Sequence, residues 1–278
     1  MEILEIRKEI ITNLKEDLPE LVDKVNFFNL VKLPSKKNSV VHLRFNRPTE
    51  RFPRDIVVKI FRTNNMEVEY RILKQLDKQE ICVPKILFYK QPFIILEKVE
   101  GMNLCDYIND KLRNSEDLSE IDKNHKESIQ TSIEKLALWL GNFHSLNVIS
   151  KNNPNEIIVL NKGDTRLRDF IYDSNSGTLF GTDFEDSYEG NHIDDIAWIC
   201  CSLLDTKPGI FEMRYPKHKI NLINFFLKSY YKNNPDFNFN FYYFTERLIE
   251  NLNIVMRRRH INMILNKENF IKDISKEL

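Results

Sequence analysis

The stretch LNKGDTRLRDFIYD, residues 160–173, decides how this chain is read. It sets a Gly-Asp pair and two arginines ahead of a second aspartate, five residues after the first. A strand-like run, SGTLFGTDFEDS, follows at 176–187. If the segment joins two short strands, Asp164 sits at the loop tip, Asp169 opens the next strand, and Asp183 ends the strand after it. Phosphoryl transfer needs such a set: one carboxylate to orient or deprotonate an acceptor hydroxyl, and oxygen ligands for Mg²⁺. A Gly-Asp pair is also an ordinary turn former, so the stretch alone leaves a polar turn open as well.

Upstream, apolar residues recur at helical spacing over 2–24: Ile3, Ile6, Ile10, Ile11, Leu14, Leu18, Leu21 and Val22. The pattern 38–46 (NSVVHLRFN) alternates, and 55–62 (DIVVKIFR) is apolar and β-branched; both read as strands around a proline-bearing turn. Residues 65–79 read as a helix with Met66, Tyr70, Leu73 and Leu76 on one face, and 83–99 as two strands broken at Gln91-Pro92. Beyond Gly101 the periodicity turns helical, over 128–147, 192–205, 219–234 and 242–265. A boundary near 98–101 divides the chain into 1–98, a small β-rich part, and 99–278, a larger helical part.

Lys+Arg and Asp+Glu both total 41, so charge suggests neither a nucleic-acid nor a membrane partner. No apolar run approaches the roughly 20 residues that span a bilayer, and the mixed-charge start does not read as a signal peptide. The four cysteines, Cys82, Cys105, Cys200 and Cys201, form no Cys-x-x-Cys pair and no zinc spacing; Cys200 and Cys201, adjacent in an apolar run, read as buried thiols, and a reducing cytoplasm fits. None of the seven glycines precedes Gly101, so any phosphate-cradling loop in the first part works without glycine.

The central segment resembles the catalytic core of the aminoglycoside phosphotransferase and choline kinase-like superfamily, which has a protein-kinase-like fold. The family loop reads His-Gly-Asp-x-x-x-x-Asn; here it is Lys162-Gly163-Asp164 through Asp169. The family's metal strand ends in Asp-Phe/Trp-Glu or Asp-Phe-Gly; here it is Asp183-Phe184-Glu185. Further matches follow in family order: VVKIF with Lys59, VEYRILKQL with Glu69, FIILEKVEG around Glu97 and Val99, LALWLGNFHSL with His144, and a helix start with Asp195.

The resemblance implies a two-lobed protein-kinase-like α+β fold with a β-rich N-lobe and a helical C-lobe. It implies a small-molecule kinase that moves the γ-phosphate of ATP or GTP to a hydroxyl. Asp164 would be the catalytic base and Arg166 would offset transition-state charge. Lys59, fixed by Glu69, would hold nucleotide phosphates, with Ser35, Asn38 or Ser39 as polar donors. Backbone groups near Glu97 and Val99 would receive the base, and Asp169 and Asp183 would hold Mg²⁺. His144 and Asp195 would brace the loop.

Two departures, Lys162 for histidine and Asp169 for asparagine, keep open a catalytically weak nucleotide-binding protein that acts through a partner. On this reading Asp169→Asn, which restores the family residue, is tolerated. From Asp169 through Thr206 there are nine acids, Asp169 included, and no Lys or Arg, which suggests an amine-bearing acceptor.

Overall fold

The computed structural model describes residues 2–22, 28–112, 118–151, 157–207, 209–212, 217–262 and 271–276. It forms two compact units, Met1–Lys78 with Val83–Val99, and Gln79–Cys82 with Glu100–Leu278.

The first unit is built on one antiparallel sheet. Its strands are β1 (Phe28–Leu33), β2 (Ser39–Phe45), β3 (Asp55–Ile60), β4 (Ile86–Lys90) and β5 (Phe93–Glu97), in spatial order β1-β2-β3-β5-β4. Alternation along β2 and β3 sends Val41, Leu43, Ile56, Val58 and Ile60 into one core. Helix α1 (Ile3–Leu14) packs Ile6, Ile10 and Leu14 into the same core, one residue per turn along its buried stripe. Burying each such side chain contributes about 1.5–3 kcal/mol.

The helix predicted over 2–24 ends earlier. Leu18 N–H donates to the Leu14 carbonyl at 2.7 Å, and the chain then passes into a short 3₁₀ turn, Pro19–Val22. Pro19 has no N–H to continue the ladder and its ring disfavours helical backbone at Leu18; residues 23–24 lie outside those described. Strand β1 carries no alternating signal, since five of its six side chains, on both faces, are at least partly solvated.

Helix α2 (Met66–Lys78) buries Met66, Glu69, Ile72, Leu73 and Leu76. Glu69 thus lies on the apolar stripe, three residues after Met66.

The second unit contains two three-stranded antiparallel sheets, β10-β9-β6 and β11-β8-β7. The strands are β6 (Met102–Asn103), β7 (Val148–Lys151), β8 (Ile157–Asn161), β9 (Phe170–Asp173), β10 (Thr178–Gly181) and β11 (Tyr188–Asn191). The helices are α3 (Leu104–Leu112), α4 (Lys123–Leu146), α5 (Ile193–Asp205), α6 (Lys217–Asn233) and α7 (Phe241–Arg258). Trp139 on α4 stacks on Phe143 at 5.4 Å and meets Phe170 edge-on at 5.2 Å, which ties the long helix to β9.

Helix α7 also stops short of its predicted end. Ile261 N–H reaches the Met256 carbonyl, His260 N–H reaches Arg257, and His260 takes a left-handed φ of 55°. This closing pattern satisfies the last carbonyls and ends the helix. It leaves Arg258 in the final turn, and residues 263–265 of the predicted helix lie outside those described.

Candidate active site

Strand β8 delivers the chain into the loop 162–166, and a 3₁₀ turn, Leu167–Asp169, returns it to β9. The loop closes on itself at Gly163, whose φ is 74°; a Cβ there would meet the Asp186 carbonyl oxygen at 2.1 Å. Only glycine fits that approach at that φ.

Beneath the loop lies Asp195, fully buried in the first turn of α5. Its carboxylate accepts from Lys162 N–H at 2.7 Å, Gly163 N–H at 3.1 Å and the Thr165 hydroxyl at 2.5 Å. His144 Nε2 is 3.2 Å away. A carboxylate only accepts, so Nε2 carries the proton and Nδ1 accepts from the Tyr230 hydroxyl at 2.8 Å. Burial alone would raise the Asp195 pKa, but the bonds from His144, Thr165 and Lys162 outweigh it and hold the carboxyl below its usual range. The loop is therefore anchored from below by an ionised, fully engaged carboxylate.

Asp164 sits at the tip with φ 43°, and Asp183 has φ 65°. Left-handed backbone is costly for a residue with a side chain, of the order of 1 kcal/mol, and it persists where the surroundings impose it. These two aspartates are among the four non-glycine residues of positive φ found among the described residues. Arg166 forks onto Asp164, with Nε 3.0 Å from Oδ1 and Nη2 on Oδ2. Arg258, from the last turn of α7, brings Nη1 to 3.4 Å from both oxygens.

Asp169 is clamped against the strand that leads to Asp183. Thr182 donates to the Asp169 carbonyl through its N–H at 2.8 Å and its hydroxyl at 3.0 Å. The Asp169 carboxylate accepts from Arg166 N–H at 3.1 Å. Burial, offset by Lys162 and reinforced by Asp183, raises its pKa to about 6. A carboxylate raised in part by a neighbouring one is eased by a shared cation, so the donor set fits Mg²⁺.

Lys162 is fully buried, between the rings of Phe184 at 5.4 Å and Phe170 at 5.7 Å. Its ammonium donates to the Asp183 carbonyl at 2.8 Å and lies 3.9 Å from Asp169 Oδ2. The two departures from the family loop therefore face each other: a buried cation where the family has histidine, and a carboxylate where it has asparagine. This contact bears on Asp169→Asn, which the sequence reads as tolerated. That change would strip a buried ammonium of its counter-charge.

In the first unit, Lys59 Nζ meets Glu69 Oε2 at 2.5 Å, and both side chains are buried. The rival acid Glu67 instead accepts from the Tyr89 hydroxyl at 2.5 Å. Ser39 lies at the start of β2, with its Oγ 3.5 Å from Arg62 Nη2. Asn38 accepts from Arg62 N–H at 3.0 Å, and its own N–H donates to Ser35 Oγ at 3.3 Å, so this glycine-free loop is ordered by its own side chains. Glu97 ends β5 with its N–H engaged by the Lys85 carbonyl at 2.9 Å. Val99 follows in the half-buried connector. The structure thus joins Lys59 with Glu69, and Asp164 with Arg166, and sets Asp169 within electrostatic reach of Asp183. Sequence reasoning found all of these residues, but it did not assign Arg258 to Asp164 or Lys162 to Asp169. The run Arg257–Arg259 was the one available signal for the former.

The model of the lipopolysaccharide kinase (Kdo/WaaP) family matches residues 28–168, just over half of the chain. The chain belongs to that family. The match takes in Lys59, Glu69, Asp164 and Arg166 and stops one residue before Asp169. A comparison with curated proteins finds no match. Among solved structures, the chain is similar to a protein of Ralstonia eutropha described as an aminoglycoside phosphotransferase, with TM-score 0.60, 13% identity and 93% of each chain covered. It is similar to an aminoglycoside phosphotransferase of Streptomyces rimosus, with TM-score 0.58 and 13% identity over 92% of this chain and 98% of that one. A choline/ethanolamine kinase family protein of Mesorhizobium loti gives TM-score 0.57 and 11% identity over 98% of this chain and 92% of that one. At such identities the likeness establishes the protein-kinase-like fold, with its antiparallel N-terminal sheet and helical C-terminal part.

Proposed function

We propose that this chain is a small-molecule kinase that transfers the γ-phosphate of ATP or GTP to a hydroxyl group. The observation that carries the reading is the loop tip: Asp164, in left-handed backbone, raised on a fully buried Asp195 brace. Such a mounting costs stability and is understandable where a side chain must be presented to a reacting group.

Asp164 orients the acceptor hydroxyl and takes its proton as the oxygen attacks the γ-phosphorus; the bond to the β-phosphate oxygen breaks and the nucleoside diphosphate leaves. Lys59, held by Glu69, binds phosphate oxygens. Ser39 supplies a polar donor, and backbone groups near Glu97 and Val99 receive the base. Asp169 and Asp183 would hold Mg²⁺, which neutralises phosphate charge when bound. Arg166 offsets charge that builds on the transferred group.

The alternative, a nucleotide-binding protein without turnover, rested on Lys162 and Asp169. Their mutual charge balance, and the bond from Lys162 to the Asp183 backbone, remove its main support. A cytoplasmic setting is consistent with the free cysteines Cys82, Cys105, Cys200 and Cys201. No helix among the described residues is long and apolar enough to cross a membrane.

Part of the negative charge that suggested an amine-bearing acceptor is engaged inside the protein. Of the nine acids that suggested it, Asp195 is consumed by the brace, Asp194 is paired with Arg247 at 2.9 Å, and Asp205 with Arg259 at 2.6 Å.

The test is radiolabelled phosphate transfer from ATP and GTP, with and without Mg²⁺, across sugars, polyols, nucleosides and amino alcohols. Transfer to one of them that depends on Mg²⁺ and is lost in Lys59→Met supports the reading. Nucleotide binding with no transfer to any acceptor or to water refutes it.

A further inference from the structure

The contact between Arg258 and Asp164 is not explained by phosphate transfer alone. Asp164 is one carboxylate, and two guanidinium groups converge on it. Both also lie over Trp198 of α5, each with its guanidinium carbon 5.8 Å from the ring centroid. One turn further along α5, Ser202 accepts the Leu167 N–H at 3.1 Å, and Asp205 pairs with Arg259. Arg168 and Lys219 act on Asp205 as well. Asp169, which also acts on Arg166, has Lys162 beside it. Around the tip, Arg166, Arg168, Arg258 and Arg259 thus gather about Asp164, Asp205 and the Lys162-paired Asp169. The local excess is positive, in a chain whose formal net charge is +0.

Two planar guanidiniums on one aromatic ring form a preorganised fork for an oxyanion, since each carries more N–H donors than Asp164 alone can take. We propose that Arg258, with Arg166 beside it, binds an anionic group of the acceptor, a carboxylate or a phosphate monoester. This draws Arg258 off the Asp164 oxygens and leaves Arg166 to turn toward the transferred group, so that the carboxylate meets the acceptor hydroxyl. Arg258 is then a specificity-determining residue: an acceptor with an anion near its hydroxyl releases the base, and a neutral one leaves it held. The inference rests on the phosphotransfer reading for its second half only, because anion binding at the pair stands on geometry alone.

The experiment has a binding arm and a transfer arm. In the first, inorganic phosphate and acetate are titrated at constant ionic strength, with AMP-PNP and Mg²⁺ at saturation, while tryptophan fluorescence is followed. Trp139 is buried and Trp198 lies beneath the arginines, so the response should vanish in Trp198→Phe. Saturable binding is expected, weakened about tenfold or more in Arg258→Ala, the scale of one charge-assisted hydrogen bond. Arg258→Lys, which keeps the charge and loses the fork, should fall between and serves if the alanine variant does not fold. No saturable response, an unchanged affinity in the Arg258 variants, or competition with AMP-PNP overturns the proposal; the last would assign the arginines to the nucleotide's phosphates. In the second arm, glycerate and glycerol 3-phosphate are compared with glycerol as acceptors. A higher kcat/KM for either anion, shrinking with salt and in Arg258→Ala, supports the proposal and tells carboxylate from phosphate. Anion binding without transfer to any acceptor sustains the site and removes the kinase reading. Transfer to glycerol with no anion binding keeps the kinase reading and overturns the site.

Discussion

The tip of the loop after β8 and the floor beneath it each turn on one aspartate, and the two are held in opposite ways. Asp195 has no exposed surface and takes hydrogen bonds from two backbone amides, a hydroxyl and an imidazole. Asp164 keeps 23% of its side chain exposed and is held by arginine side chains. Donors fixed by backbone and core cannot leave without unfolding the loop. Side chains on the rim can exchange one anion for another at little cost. The floor is thus suited to holding shape and the tip to changing partners.

The largest expected effect is at the floor. Asp195→Ala leaves two amides, Thr165 and His144 without their acceptor and should lower stability by about 3–5 kcal/mol, read as a shift in the urea midpoint. A loss below about 1 kcal/mol would break the comparison. At the tip, Asp164→Asn should lower turnover by about 100-fold or more, while stability stays within about 1 kcal/mol, as for a partly exposed ion pair. An Asn variant with near-normal turnover would falsify the assignment of Asp164 as the base.

A smaller effect sharpens the line between the two regions. Lys162 and Asp169 should behave as one unit: Lys162→His and Asp169→Asn each destabilise, and the double variant regains about 1–2 kcal/mol relative to additivity. Strictly additive losses would mean that the 3.9 Å approach carries no coupling. A change seen only as pH falls comes from His192, beside the floor, with its ring 4.7 Å from Phe237 and its Nε2 3.2 Å from the Tyr231 hydroxyl. Burial, helped by His144, lowers its pKa to about 3. The unfolded chain binds this proton near pH 6.5 and the folded chain does not, so stability is lost as pH falls from about 6.5 toward 3. His192→Phe should flatten that slope by up to about 1.4 kcal/mol per pH unit. Urea midpoints measured from pH 4 to 7 that keep the wild-type slope would assign the acid sensitivity elsewhere.

Much of this arrangement was legible before the fold was seen, where chemistry repeats at short range. Lys59 and Glu69 are ten residues apart in a strand-helix unit, so residue order predicts their meeting, and the apolar stripe of α2 selects Glu69 over Glu67. The loop from Lys162 to Asp169 carries its two aspartates five residues apart, and Asp183 follows just past the end of the next hairpin, β9–β10. Short elements such as β6 and β7, with two and four residues, gave too few positions for a period to show.

Residue order by itself determined the element types of the long amphipathic segments, the two-part division of composition, and the residues able to carry phosphate chemistry. The reason is local: periodicity and turn chemistry act over a handful of neighbours. Only the tertiary structure decided that Lys162 faces Asp169 from within the core, and that Arg258, 94 residues downstream, reaches Asp164. Those contacts depend on how α5 and α7 pack and on where the His260 turn ends α7. That packing is set by burial summed over many side chains, and no short stretch of sequence contains the sum.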